Sequence, residues 1–95
     1  MKIYNGQTIS VLRPEAQLAV RVMILIYRLF GEELTITWTN GGKHMAGSLH
    51  PKNRAFDFLP PYLPTNRAGI YDLARSTLGP EYDIIDEDDH GHCEW

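Results

Sequence analysis

The chain has a single cysteine, Cys93, in 95 residues, so no internal disulfide can form and stability has to come from packing or from a bound metal. It has no basic excess either: nine Lys and Arg stand against twelve Asp and Glu, a net charge of −3. A binder of phosphate backbones presents a basic face, so no nucleic-acid partner is expected. The acidic surplus is local, in Asp83 to Asp89. The opening MKIYNGQ lacks the basic segment, apolar core and small-residue cleavage site of a secretory signal. Long hydrophobic runs are also missing. The longest, LAVRVMILIYRLF, is interrupted by Arg21 and Arg28 and is too short for a bilayer, so no membrane partner is expected. What remains is 43% hydrophobic and 22% charged, the balance of a globular protein, with length for one domain, 1–95, and one core.

Pro14 suits the first turn of a helix that runs to about Phe30 and is ended by Gly31. Ala16, Ala19, Met23, Ile26 and Phe30 recur at helical spacing, and Leu18, Val22, Leu25 and Leu29 make the helix apolar on most sides, as a central core helix would be. Leu34 to Trp38 alternates with period two and reads as a strand, which Asn40-Gly41-Gly42 breaks. Gly41 to Asn53 reads as a loop and Arg54 to Leu59 as a second strand, with Phe56 and Phe58 on one face and Ala55 and Asp57 on the other. Thr65 is the expected N-cap of a second helix carrying Ile70, Leu73, Ala74 and Leu78, closed by Gly79-Pro80. Tyr82 to Ile85 and His90 to Trp95 read as strands joined by an acidic turn, Asp86 to Asp89. This order predicts an α+β fold, two main helices packed on a small antiparallel or mixed sheet.

The four histidines fall in two places: His44 and His50 in the glycine-rich loop, His90 and His92 near the C-terminus. On a strand His90 and His92 share a face, and Asp57 lies on a strand as well, so a sheet can bring two histidines and a carboxylate together. Three protein groups of this kind, with a fourth position left for water, are the ligand set of a catalytic zinc site. Asp57 also sits between Phe56 and Phe58, in a strand that should pack, and a buried charge needs a partner.

Taken together, Ser48-x-His50, Ala55-x-Asp57 and Asp89-His90-x-His92 resemble the signature of the zinc-dependent D-Ala-D-Ala peptidase family, the M15 or LAS-type peptidases. GGKHMAGSLHPKNRAFDF is similar to the motif SxHxxGxAxD, and DDHGHCEW to the DHxHxE-type ending of small phage-encoded members. The first helix, the LTIT strand and the GPEYDIIDE approach fit the same arrangement, so the resemblance covers most of the chain. It implies a Zn2+ cofactor held by His50, Asp57 and His92, with Asp89 as general base and acid. His90 is then a group that steadies the transition state, and Ser48 a loop serine that supports the site. Zinc with such ligands keeps a net positive charge that acidifies a water and polarises a peptide carbonyl. Glu87 takes the proton-transfer role if His90 rather than His92 holds the zinc. Asp89 can serve only from a turn or a bulge, because in a regular strand it faces away from both histidines.

The chain departs from the pattern in two ways. Asn53 replaces a glycine before Ala-x-Asp, a residue that tolerates a left-handed backbone. WTNGGKHM lacks the arginine with which many relatives hold substrate, leaving Lys43 or His44 for that task. Cys93 is expected to face the core, and Trp38 and Trp95 to be packing residues. The implied activity is hydrolysis of a peptide bond in bacterial peptidoglycan, in a stem or cross-bridge, by a monomeric phage-type lytic enzyme. Such a protein is made in the cytoplasm and acts at the cell wall after release, or is virion-associated. A non-catalytic binding or virion-structural module of the same fold is the alternative, and a domain with incidental histidines is a third reading.

Overall fold

Proline's fixed φ and missing amide suit a helix start, and helix α1 begins there, spanning Pro14–Leu29. The computed structural model describes residues 1–4, 6–39 and 53–95. Gly31, at φ 73°, turns the chain out of α1 in a left-handed conformation that an L side chain would resist. Strand β1 is Lys2–Ile3, β2 is Thr35–Trp38 and β3 is Ala55–Phe58. A 3-10 turn over Pro64–Asn66 leads into α2, Arg67–Leu78, and the chain ends in the hairpin of β4, Asp83–Asp86, and β5, Gly91–Glu94. The five strands form one sheet in the order β1-β2-β3-β5-β4. All pairs are antiparallel except β1 with β2, so the sheet is mixed and the fold is α+β.

Both helices supply the core that covers one face of this sheet. α1 buries Ala16, Ala19, Val20, Met23, Ile26 and Tyr27, and α2 buries Ile70, Tyr71 and Ala74. From the sheet come Ile36, Phe56, Phe58, Ile84 and Cys93. Phe58 is the hub, edge-on to Tyr27 at 6.2 Å between centroids and tilted against Tyr71 at 6.0 Å. Side chains of this size each contribute about 1.5–3 kcal/mol on burial. Cys93 belongs here as expected; burial pushes its thiol up to about 12, so it stays a protonated packing group.

Local expectation and structure part in four places. β1 is too short to show a period, and it exists because Lys2 and Ile3 align with Thr35 and Ile36 of β2. α1 is not enclosed: Leu18, Leu25 and Leu29 are 53%, 58% and 76% exposed, since one sheet and one neighbouring helix cover only part of its girth. Thr65 does not cap α2 but lies inside the 3-10 turn, and Asn66 occupies the cap position without a side-chain cap bond. Glu32, from the α1–β2 connection, instead accepts hydrogen bonds from the Tyr62 and Leu63 amides and the Asn66 side chain. Ala55 is buried although it alternates with Phe56; it lies opposite Glu94 in the ladder, on a face that is itself partly covered. No described helix is long and apolar enough to cross a membrane.

Candidate functional site

The face of the sheet away from the helices carries the polar residues that the sequence singles out. In the β3–β5 ladder Asp57 lies directly opposite His92, and Phe56 opposite Cys93. One pair therefore faces outward and the next enters the core, as a pleated strand requires. Asp57 and His92 meet: Asp57 Oδ1 is 2.7 Å from His92 Nδ1. The other ring nitrogen, Nε2, donates to Glu94 Oε1 at 3.1 Å. With a carboxylate at each nitrogen the ring holds both protons. The bond to Asp57, helped by that to Glu94, pushes its pKa up to about 9 against the opposing effect of burial. The three side chains are 16–22% exposed, half-sheltered within the sheet surface.

His90 stands just before β5. Its Nε2 is 3.8 Å from Asp57 Oδ2 and 2.7 Å from Glu87 Oε2, and its Nδ1 is 2.7 Å from Asp89 Oδ1. The bond to Asp89 comes first among the causes that raise the His90 pKa, with the charges of Asp57 and Glu87 adding to it against burial. The two acids thus flank one ring, Glu87 at the nitrogen that faces Asp57 and Asp89 at the other. Four carboxylates around two imidazoles leave the cluster negative even with both rings protonated, a field that favours a cation.

Asp89 lies on the turn, where its proposed chemistry needs it, because β5 starts only at Gly91. That turn is built by Asp88, at φ 70°, whose amide donates to Asp86 Oδ1 at 3.2 Å. Arg67, first residue of α2, holds it from outside: Nε donates to Asp86 Oδ2 at 2.8 Å, and Nη2 bonds both Asp86 Oδ1 and the Asp88 carbonyl. The hydrogen bond from Arg67 holds the Asp86 carboxyl below the usual carboxylate range. At the head of β3, Asn53 adopts φ 72°, a left-handed conformation that asparagine tolerates better than most residues. Its carbonyl accepts the Arg13 amide at 2.8 Å, fixing the entry to the strand that bears Asp57.

Of the residues singled out by sequence, Asp57, Glu87, Asp89, His90 and His92 come together. Lys43, His44, Ser48 and His50 lie outside the described residues. Among the described residues no group of three or more His, Cys, Asp and Glu is arranged to hold a metal ion. Asp57 and His92 are an oxygen and a nitrogen donor of the types zinc takes, hydrogen-bonded to each other here, and a cation held by them would have to displace the proton between them.

Sequence reading did not place two residues on this face, Glu94, to which it gave no role, and Trp38, which it expected only to pack. Glu94 is the E of the DHxHxE-type ending, and its place two residues after His92 on a strand is the signal that puts it on the same face. Trp38 lies opposite Asp57 because the β2–β3 register shifts between Ile36 and Trp38. A regular ladder would set Thr37 there, and no alternation pattern reveals such a bulge. Compared with known proteins, the chain matches no family model, no curated protein and no solved structure at a significant level.

Proposed function

We propose that the protein is a zinc-dependent peptidase acting on a peptide bond of bacterial peptidoglycan, in the manner of the D-Ala-D-Ala peptidase family it resembles. The observation that carries this reading is the pairing of Asp57 with His92 in register, with His90 beside them. Residues from two motifs 35 positions apart meet on one sheet face. His50 is the third ligand by motif. Zinc held by His50, Asp57 and His92 supplies an acidified water and a polarised peptide carbonyl. A carboxylate of the turn accepts a proton and hands it to the departing amine. Motif alignment gives that role to Asp89, and Glu87 is the competing acid, placed at the His90 nitrogen that faces Asp57. His90, held between Glu87 and Asp89, is the group that would steady a developing oxyanion, in the role the motif gives it.

The test combines metal analysis with digestion. The purified chain, loaded with zinc, is incubated with muropeptides and the products are read by mass spectrometry. Metal-dependent cleavage of a stem or cross-bridge bond is expected, lost in Asp57→Asn and His92→Gln. Comparing Asp89→Asn with Glu87→Gln identifies the proton carrier. Stoichiometric zinc without cleavage would replace this reading by that of a non-catalytic module, and absence of zinc uptake would end the zinc-peptidase reading.

A further inference from the structure

Glu94 closes β5 and projects on the same face as His92, its Oε1 3.1 Å from His92 Nε2, while Asp57 Oδ1 stands 2.7 Å from Nδ1. The two carboxylates therefore hold opposite ends of one ring. An imidazole that binds a cation keeps one proton and offers one lone pair, so one of these ends has to be the donor and the other the anchor. The surroundings distinguish them. Asp57, at the Nδ1 end, is also the group nearest His90, 3.8 Å from its Nε2, so the other candidate residues gather at that end. Glu94, at the Nε2 end, lies opposite Ala55 on one side and Asp83 on the other, at the far margin of the cluster. Ala55 has no bulk to displace the Glu94 side chain, which is only 16% exposed.

We infer that Glu94 is a positioning residue: it accepts the Nε2 proton of His92, fixes the ring plane and tautomer, and leaves Nδ1 as the nitrogen that binds zinc together with Asp57. This rests on the proposed zinc site and deepens it, since it specifies which atom of His92 binds and what keeps it there. A carboxylate behind a metal-binding imidazole raises its basicity, and loss of such a partner weakens metal binding about 10–100-fold. Glutamine in its place can still accept the Nε2 proton through its amide oxygen but without the charge, so it restores orientation and not basicity.

The full chain is compared with Glu94→Gln and Glu94→Met for zinc affinity, by competition with a chelator of known strength. Long-range proton–nitrogen spectra of the zinc-loaded forms report which His92 nitrogen carries the proton. The expected result is a proton on Nε2 in the unaltered chain, zinc affinity reduced about 10–100-fold in Glu94→Met, and an intermediate value in Glu94→Gln with Nε2 still protonated. A lowered metal-free unfolding midpoint in both variants, with the zinc affinity of the folded chain unchanged, would show a role confined to folding and overturn the inference. The inference is overturned if both variants bind zinc as tightly as the unaltered chain, or if the proton is found on Nδ1. If the unaltered chain takes up no zinc, the proposed function itself falls, and this assignment with it.

Discussion

Gly91 shows how a single residue holds the site in place from behind. It separates His90 from His92, and a Cβ there would clash with the edge of the Phe58 ring and with the Tyr71 hydroxyl, both buried in the core. Gly91→Ala is expected to cost about 1–3 kcal/mol, as overpacked cores do, and to shift both histidines; urea unfolding with the His ring resonances checks it. Tyr71 offers the opposite case. Its hydroxyl is buried without a hydrogen-bond partner among the described residues, and burial pushes its pKa up to about 12. Tyr71→Phe removes an uncompensated polar group, so stability should stay level or rise by up to about 1 kcal/mol. A fall in the denaturation midpoint would show that the hydroxyl has a partner.

At the scale of elements, the hairpin of β4 and β5 depends on α2 through Arg67. The sign of its pH dependence follows from Asp86, whose pKa is lowered by the hydrogen bond from Arg67 and by the Asp88 amide, against burial. The stability it contributes is present above the unfolded carboxyl value of about 3.9 and is lost as pH falls through the lower folded value. Asp86→Asn should therefore be less stable than the unaltered chain at neutral pH, by no more than about 1 kcal/mol because the pair is partly exposed and screened. The difference should vanish at acidic pH and shrink at high salt, as thermal melts across pH would show. Glu32 links the end of α1 to the start of α2 in the same sense. Burial raises its pKa, but the Asn66, Leu63 and Tyr62 bonds outweigh that and lower it. Both helices and the strands β2 to β5 were legible locally: Pro14, Gly31 and Gly79 punctuate the chain where expected, and Asn53 adopts the left-handed turn anticipated for it. Thr65 misled because the chain makes a 3-10 turn over Pro64–Asn66 before α2 begins, and distant Glu32 ties the approach to that turn by accepting the Tyr62 and Leu63 amides.

For the molecule as a whole, the sheet separates two jobs. One face builds the core with the helices, and the other collects Asp57, His90, His92 and Glu94 with the turn acids. Under the proposed function zinc would bind the folded state only, so zinc at one hundred times its Kd should raise stability by about 2.7 kcal/mol. Thermal unfolding with added zinc and then with excess chelator measures this. An unchanged midpoint in both would count against any zinc site in the fold.

The sequence by itself determined the α+β class, the limits of α1, the Gly79 stop of α2 and the inward Cys93, because periodicity, proline and glycine are local properties. It could not determine that Asp57 sits opposite His92, since register between strands 35 residues apart depends on how the whole sheet closes over Phe58. Nor could it show β1, the shift that sets Trp38 opposite Asp57, or the open side of α1. Those follow from pairing and packing between distant segments, and only the tertiary structure places a carboxylate at each nitrogen of His92.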